Sequence, residues 1–463
     1  MIKLHPKTRE AYQLFHDGVL AFARAEQAGI RVGTDKCHQY ITELSSKIEM
    51  SEQEVLNSKF GRHWSHSIKG RRPNLNSNHQ LAHFLYAVKK LEPPKLTASG
   101  KGSTDDEALQ MIAIPEVLKI LEIRKLRKIR DTYLEAYLRE QVDGWIHPIF
   151  NLHLVRTYRS SSDRPNFQNI PKRDKEAMKI CRSVLFPRHG HQFLSMDYSG
   201  IEVKMACVYT QDEKLIYDVV HGDMHRDMAI ELYQLDDLDK HDPNEKVLRQ
   251  GAKNSFVFPQ FYGDYYGNCA PNLLRWAKIA YLRDGTPAVQ HLEKRGLVKL
   301  DKKGEIRNSD AFTEHVKKVE DDFWNRRYRA YGRWKDRVWR KYQMKGYVDM
   351  YTGFRCGGQM SKKDITNYPL QGTAFHCLLW TFIEVDRRMR EEKWDSRLVS
   401  QVHDELTLDA HPDEVQTVAK AVKDIATNQL VQHWAWLKGI PIGVEFDLGP
   451  VDGSMADKEY IDI

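Results

Sequence analysis

The sequence predicts an α+β fold, and three observations predict it. An apolar strand pattern occupies "HQFLSMDY" (His191–Tyr198). Two more strands lie inside "RLVSQVHDELTLDA" (Arg397–Ala410). Between these strand regions, from about Asp212 to Met344, the pattern is mostly helical, as it is in much of the chain before Glu140. There is no internal repeat and no low-complexity tract.

In order, residues 1 to about 50 read as helix, interrupted at "AGIRVGTD" (Ala28–Asp35). Asn57–Gln80 is polar, basic and turn-rich, and reads as a mobile loop. Thr97–Leu109, "TASGKGSTDDEAL", is a second loop ending in a helix start, with Thr104 and Glu107 at capping-box spacing. Helices follow to about Glu140. Arg156–Arg173, "RTYRSSSDRPNFQNIPKR", is irregular, rich in serine, proline and asparagine. After the His191–Tyr198 strand come a helix, the helical middle region and the hairpin. A helix from about Pro412 and a last strand near "IPIGVEFDL" close the chain.

Composition narrows the class. The chain has 463 residues, enough for about three domains. It is 41% hydrophobic and 29% charged, ordinary for a globular protein with a real core. No apolar run reaches the ~18 residues a membrane span needs, and the first residues lack a signal-peptide core. Six cysteines are scattered without a CxxC pair, which points to a reducing, cytoplasmic compartment rather than a disulfide framework or zinc ribbon. Net charge is +7, and the run Arg326–Lys341 alone, with eight Lys/Arg and one Asp, has an excess equal to it. This run and Ile123–Arg139 read as helices with an aromatic or apolar stripe and a basic face suited to nucleic-acid phosphates. The stripe of the first (Trp324, Tyr328, Tyr331, Trp334, Val338) is the ordinary core-facing kind.

Two acidic positions carry the chemical reading. Asp404 and Glu405, with His403, sit at the tip of the apolar hairpin, and Asp197 ends the apolar strand before a helix. Each has a plain alternative, a solvated turn or a helix-start acid. Together, carboxylates from two segments can hold two Mg²⁺ ions about 4 Å apart, and Mg²⁺ takes hard oxygen ligands while keeping substrate phosphates in its shell. Arg249 and Lys253, four apart on one helical face, supply cations for a triphosphate, and His225 in "HGDMHRD" adds a donor.

These segments, in this order, resemble the family-A DNA polymerases, the bacterial DNA polymerase I family. "MDYSGIEVK" and "QVHDEL" resemble its two palm motifs, and "RQGAKNSFVFPQFYG" its fingers motif. "TYRSSSDRPNFQNIPKR", "GDMHRDMA" and "NYPLQGTA" match the stretches around them. The resemblance implies a right-hand fold with thumb, an antiparallel palm sheet and helical fingers. The expected division is N-terminal helices and thumb over 1–146, palm over 147–211 and 351–463, and fingers over 212–350. It implies a DNA-directed DNA polymerase that adds dNMP from dNTP to a primer 3′-OH, with two Mg²⁺ ions on Asp197 and Asp404 and Glu405 beside them. His225, Arg249 and Lys253 would meet the incoming triphosphate, Phe258 and Tyr262 its sugar and base, and Glu202 would act as a steric gate at the 2′ position. Arg159, Asn166, Gln168, Asn367, Gln371, Gln401 and His403 would contact primer or template. A single-subunit RNA polymerase relative and a two-metal nuclease are the alternatives. Glu202 argues against the first, and the Arg249/Lys253 clamp against the second. The chain leaves no room before the thumb for a proofreading exonuclease, so a phage-like form is expected, with proofreading or processivity supplied by a separate chain.

The sequence departs from the family pattern in four places. Gly200 replaces the usual Gln, Tyr158 stands where "TGR" has glycine, and "DLGPVDGSM" lacks the usual Asn-Trp. Lys253 to Phe258 spans five residues where the family usually has four. Five residues on an ideal helix turn about 140° beyond a full turn. A π turn absorbing one residue would restore the register, and Pro259, which disrupts the regular ladder, favours one.

Overall fold

A computed structural model describes residues 6–97, 99–172 and 174–463. The first residues of the expected N-terminal helix, Ala98 of the second loop, and Arg173 at the end of "NIPKR" lie outside the described residues.

A five-stranded antiparallel sheet organises the molecule. Its order is Arg397–Val402, Glu405–Ala410, Gln192–Tyr198, Val444–Leu448, Glu459–Ile461. The strand Gln192–Tyr198 lies at the centre and is buried on both faces except at Asp197, the position nearest its C-terminal end that stays partly open. A continuous apolar run suits a strand covered on both sides. The short last strand was not foreseen; its sequence, Glu459–Ile461, carries too little alternation to stand out.

The 31-residue helix Lys362–Glu392 packs on this sheet and starts at a capping box between Ser361 and Asp364. Tyr198 Oη bridges to it through Thr381 Oγ1 at 2.7 Å. Helix Arg9–Ala28 lies across the long helix. Gly18 makes the crossing close, since a Cβ there would stand 2.9 Å from a Leu379 methyl. Phe22 meets Phe382 edge to face at 5.0 Å, and Arg24 grips Asp386 with two nitrogens at 2.8 and 2.7 Å. This first helix therefore belongs to the sheet core, and the apolar cores do not divide at residue 146. The helical stretch from Ile201 to Lys345 shares that core. A second core joins Ile30, Trp64, Phe84 and Ile120 and reaches Phe193 and Val399 of the sheet.

Several local expectations are corrected. Asn57–Gln80 is not a loop throughout: it holds helix Lys59–Ser67, and Asn78 begins another short helix. Ser58 caps the first, accepting from Gly61 N at 3.1 Å, and Phe60 and Trp64, one turn apart, bury the helix against Phe84. The cap of helix Asp106–Ile112 is Asp105, not Thr104, and Glu107 pairs with Lys95 instead of closing a box. The aromatic stripe of the basic run is buried at Tyr328, Tyr331 and Trp334, but its helix is broken at Tyr328, before Arg329–Lys345.

Trp64 is fully buried and stacks on Phe84 at 5.3 Å between ring centres. Trp64→Ala should lower the unfolding free energy by about 3–5 kcal/mol. Urea denaturation measures it, and a loss under about 1 kcal/mol would mean that this helix is not part of the core.

Candidate active site

The site forms where the central strand ends. Across the sheet Asp197 pairs with Glu405 on one side and Glu445 on the other, which puts three acids in a row. The hairpin turn adds Asp404, tied to the strand by Tyr198 N donating to Asp404 O at 3.1 Å. His403 reaches the tight turn in the left-handed region, φ 56°. Like charges placed side by side repel. Burial first, then the charge of Asp197, pushes the Asp404 carboxyl up to about 6. Asp197 is also raised, by burial more than the neighbouring ammonium of Lys172 lowers it. Glu405 goes the other way: burial alone would raise it, but Lys458 and Lys172 outweigh that and hold it well below the usual carboxylate range.

Beside the acids opens a cavity of about 370 Å³ whose walls include Arg159, Glu202, Phe258, Tyr262, Asn367, Gln371, His403 and Asp404. One wall comes from the helical stretch that begins at Glu245. A π turn spans Lys253–Val257, where the Phe258 N–H donates to Lys253 O, five residues back. The extra residue is absorbed there. Phe258 thus shares a face with Lys253, whose Nζ lies 5.3 Å from its ring centre, and with His225 at 5.7 Å. Val257 is fully buried, and Phe261, also at the cavity, stacks against Tyr331 at 5.6 Å. Burial, then Lys253 and Arg249, lowers His225 to about 4, so it is a neutral donor and not a further cation. Arg249 is held by Asp223 through two contacts of 3.0 Å.

Tyr262 Oη donates to Glu202 at 2.5 Å, and Arg159 pairs with the other Glu202 oxygen. Asn367 Nδ2 donates to the Tyr262 carbonyl at 2.8 Å. Gln401 is fully buried. It accepts from Ser160 Oγ at 2.5 Å and donates to His403 O at 2.7 Å, so it acts on the turn from behind. Gln168 joins this network through Ser160 at 2.6 Å, and Asn166 caps the short turn Phe167–Asn169, both outside the cavity.

The basic runs are less available than their composition suggests. Arg327 is engaged by Asp218, Asp227 and Glu231, and Lys335 lies over the Trp324 ring. Arg333, Arg337, Arg340 and Lys341 remain exposed. In the other run, Arg127 pairs with Glu52 and Lys125 with Asp174 and Glu176. Two departures from the family pattern have local reasons. Tyr158 has φ 60°, a conformation that favours glycine, but it is buried against Phe354 at 5.0 Å and donates to Arg355 O. Gly200, φ 63°, turns the strand into helix Ile201–Thr210.

The family model for DNA polymerase family A matches residues 35–278 and 308–453. The chain belongs to DNA polymerase family A. DNA polymerase I of Aquifex aeolicus is 30% identical over 411 residues, covering 88% of this chain and 62% of that protein. DNA polymerase I of Geobacillus stearothermophilus is 24% identical over 440 residues, 94% of this chain and 44% of that protein. The chain thus spans about half the length of the curated relatives it matches. The polymerase domain of Pol1 from M. smegmatis, solved in complex with DNA primer–template and dNTP, superposes with a TM-score of 0.74 at 23% identity, covering 95% of this chain and 70% of that one. The fold is the α+β right hand of this family, with the antiparallel sheet as its palm.

Proposed function

We propose that this chain is a template-directed DNA polymerase, adding dNMP from dNTP to a primer 3′-OH. The observation that carries the reading is the meeting of Asp197 and Asp404 beside a cavity lined by Phe258 and Tyr262, with Lys253 Nζ 5.3 Å from the Phe258 ring centre. A nuclease needs the carboxylates but not a sugar-sized wall with a cation behind it.

The donor set fits divalent metal. Asp197 and Asp404 offer hard oxygens at the mouth of the site, and Lys172 Nζ, 2.9 Å from Asp197 Oδ2, marks a place where a cation is favoured. When bound there, two Mg²⁺ ions would activate the attacking oxygen and stabilise the leaving one. The protein's own groups do the rest. Lys253 meets the triphosphate charge. Arg249 joins it by exchanging one Asp223 contact for phosphate. His225 donates one N–H without adding charge. Phe258 and Tyr262 flank the sugar and base, and Glu202, fixed by Tyr262, blocks a 2′-OH. Arg159 holds Glu202 from the other side, while Asn367 and Gln371 sit where the template base would stack. Gln401 sets the His403 turn against the primer end, with Gln168 and Asn166 shaping the adjoining template wall.

Primer extension on four templates differing at one base tests this reading. Each should direct incorporation of its complementary dNTP in the presence of Mg²⁺. No extension, or extension independent of the templating base, would reject it.

Phe258→Tyr should raise use of 2′,3′-dideoxynucleotides. A hydroxyl there replaces the hydrogen bond that the missing 3′-OH would give to phosphate. A hydrogen bond to a charged group is worth about 1.5–3 kcal/mol, so discrimination should fall roughly 10- to 150-fold. Phe261→Tyr should leave it unchanged. The reverse result would place Phe261 on the sugar and contradict the role given to the π turn.

A further inference from the structure

Glu405 is held from both sides by lysines of unequal freedom. Lys458 Nζ stands 2.8 Å from Oε1 with its side chain 6% exposed, while Lys172 Nζ stands 3.3 Å from Oε2 with its side chain 50% exposed. Lys458 follows the turn Met455–Asp457, which a Ser454–Asp457 capping box secures, and it also donates to Ser195. Lys172 comes from a segment that is neither helix nor strand. One ammonium is buried beside the sheet; the other reaches over it from an exposed side chain.

Lys172 also spans from Glu405 to Asp197, 2.9 Å from Oδ2. A divalent ion on Asp197 needs its carboxylate oxygen at about 2.0–2.1 Å, within the same space. A metal at Oδ2 and the Lys172 ammonium compete for the same oxygen, and their like charges disfavour binding both there at once. Among the described residues, Glu405 keeps Lys458 as a partner when Lys172 leaves, whereas Asp197 has no second ion-pair partner and is left open to metal.

We infer that Lys172 is a tethered counter-cation of the carboxylate site, resting on Asp197 until a divalent ion displaces it, and thereby setting the affinity for that ion. The inference rests on the reading of Asp197 and Asp404 as metal ligands. Its consequence is that the free protein binds metal weakly and takes it up most readily with the triphosphate, whose own charge gives Lys172 an alternative partner.

Binding of Mn²⁺ to the free protein, read from the electron-paramagnetic signal of unbound Mn²⁺, tests it without turnover. Lys172→Met should bind Mn²⁺ roughly tenfold more tightly than wild type, the size expected for removing one partly screened charge at contact distance. Lys172→Gln should do the same, and Lys172→Arg should stay within about twofold of wild type. Thermal melting verifies that each variant is folded. Unchanged or weaker binding in both neutral variants would overturn the inference while leaving the metal reading intact. Binding that survives in an Asp197→Asn/Asp404→Asn variant would overturn the metal reading, and the inference with it.

Discussion

Asp404→Asn should reduce single-turnover nucleotide addition roughly 10³-fold or more, and at the same time make the metal-free protein more stable at neutral pH. Both effects have one origin. Burial and the charge of Asp197 push the Asp404 carboxyl up to about 6, against an unfolded value near 3.9. The folded pKa is the higher one, so the contribution to stability is fully present below about pH 3.9 and is lost as pH rises through 6. At pH 7 the ionised group is a net cost, on the order of 1–3 kcal/mol, which a neutral amide removes. The melting temperature of Asp404→Asn without divalent ions should therefore exceed that of wild type at pH 7, and the gap should close below about pH 4. Asp197→Asn should be as inactive but gain less stability, because it also gives up the Lys172 contact. An active variant, or one less stable than wild type at pH 7, would remove Asp404 from the reacting centre. DNA binding should persist in both variants, since it rests on many phosphate contacts.

The second large effect is expected at Glu202. Its two oxygens are committed, one to Tyr262 Oη and one to Arg159. That holds a carboxylate against the cavity wall where the sugar would lie. Glu202→Ala removes both the bulk and the anchor of Tyr262, and the preference for dNTP over rNTP should fall by at least about a hundredfold in the ratio of kcat/KM. Glu202→Gln keeps the bulk and should retain most of the preference, which separates exclusion by size from exclusion by charge. An unaltered ratio in Glu202→Ala would put the sugar gate elsewhere.

How far these features can be read from sequence depends on how local their causes are. The central strand and the acidic hairpin are legible because their apolar residues are contiguous and their acids sit at strand ends. The π turn is legible as a count, five residues where four are expected, beside a proline. Helix Lys59–Ser67 is not, since only Phe60 and Trp64 are apolar and bulky in a stretch dominated by polar and basic residues. Gln401 sits within a motif, but nothing in its neighbours says which way the strand faces, and it turns inward. Lys172 and Lys458 were missed for a similar reason. They lie 233 and 53 residues from Glu405 in sequence, and no spacing pattern links positions joined only by the tertiary fold.

The account's central claim is that Asp197 and Asp404 together hold the divalent ions of nucleotidyl transfer. The most direct measurement is the number of Mn²⁺ ions bound by a complex of the protein with primer–template and the matching α,β-imido dNTP, which cannot be turned over. The account predicts two ions per complex, with the Asp197→Asn/Asp404→Asn variant losing the protein-held sites while still binding primer–template. Equal metal content in wild type and variant, or a wild-type complex that orders no Mn²⁺, would contradict it.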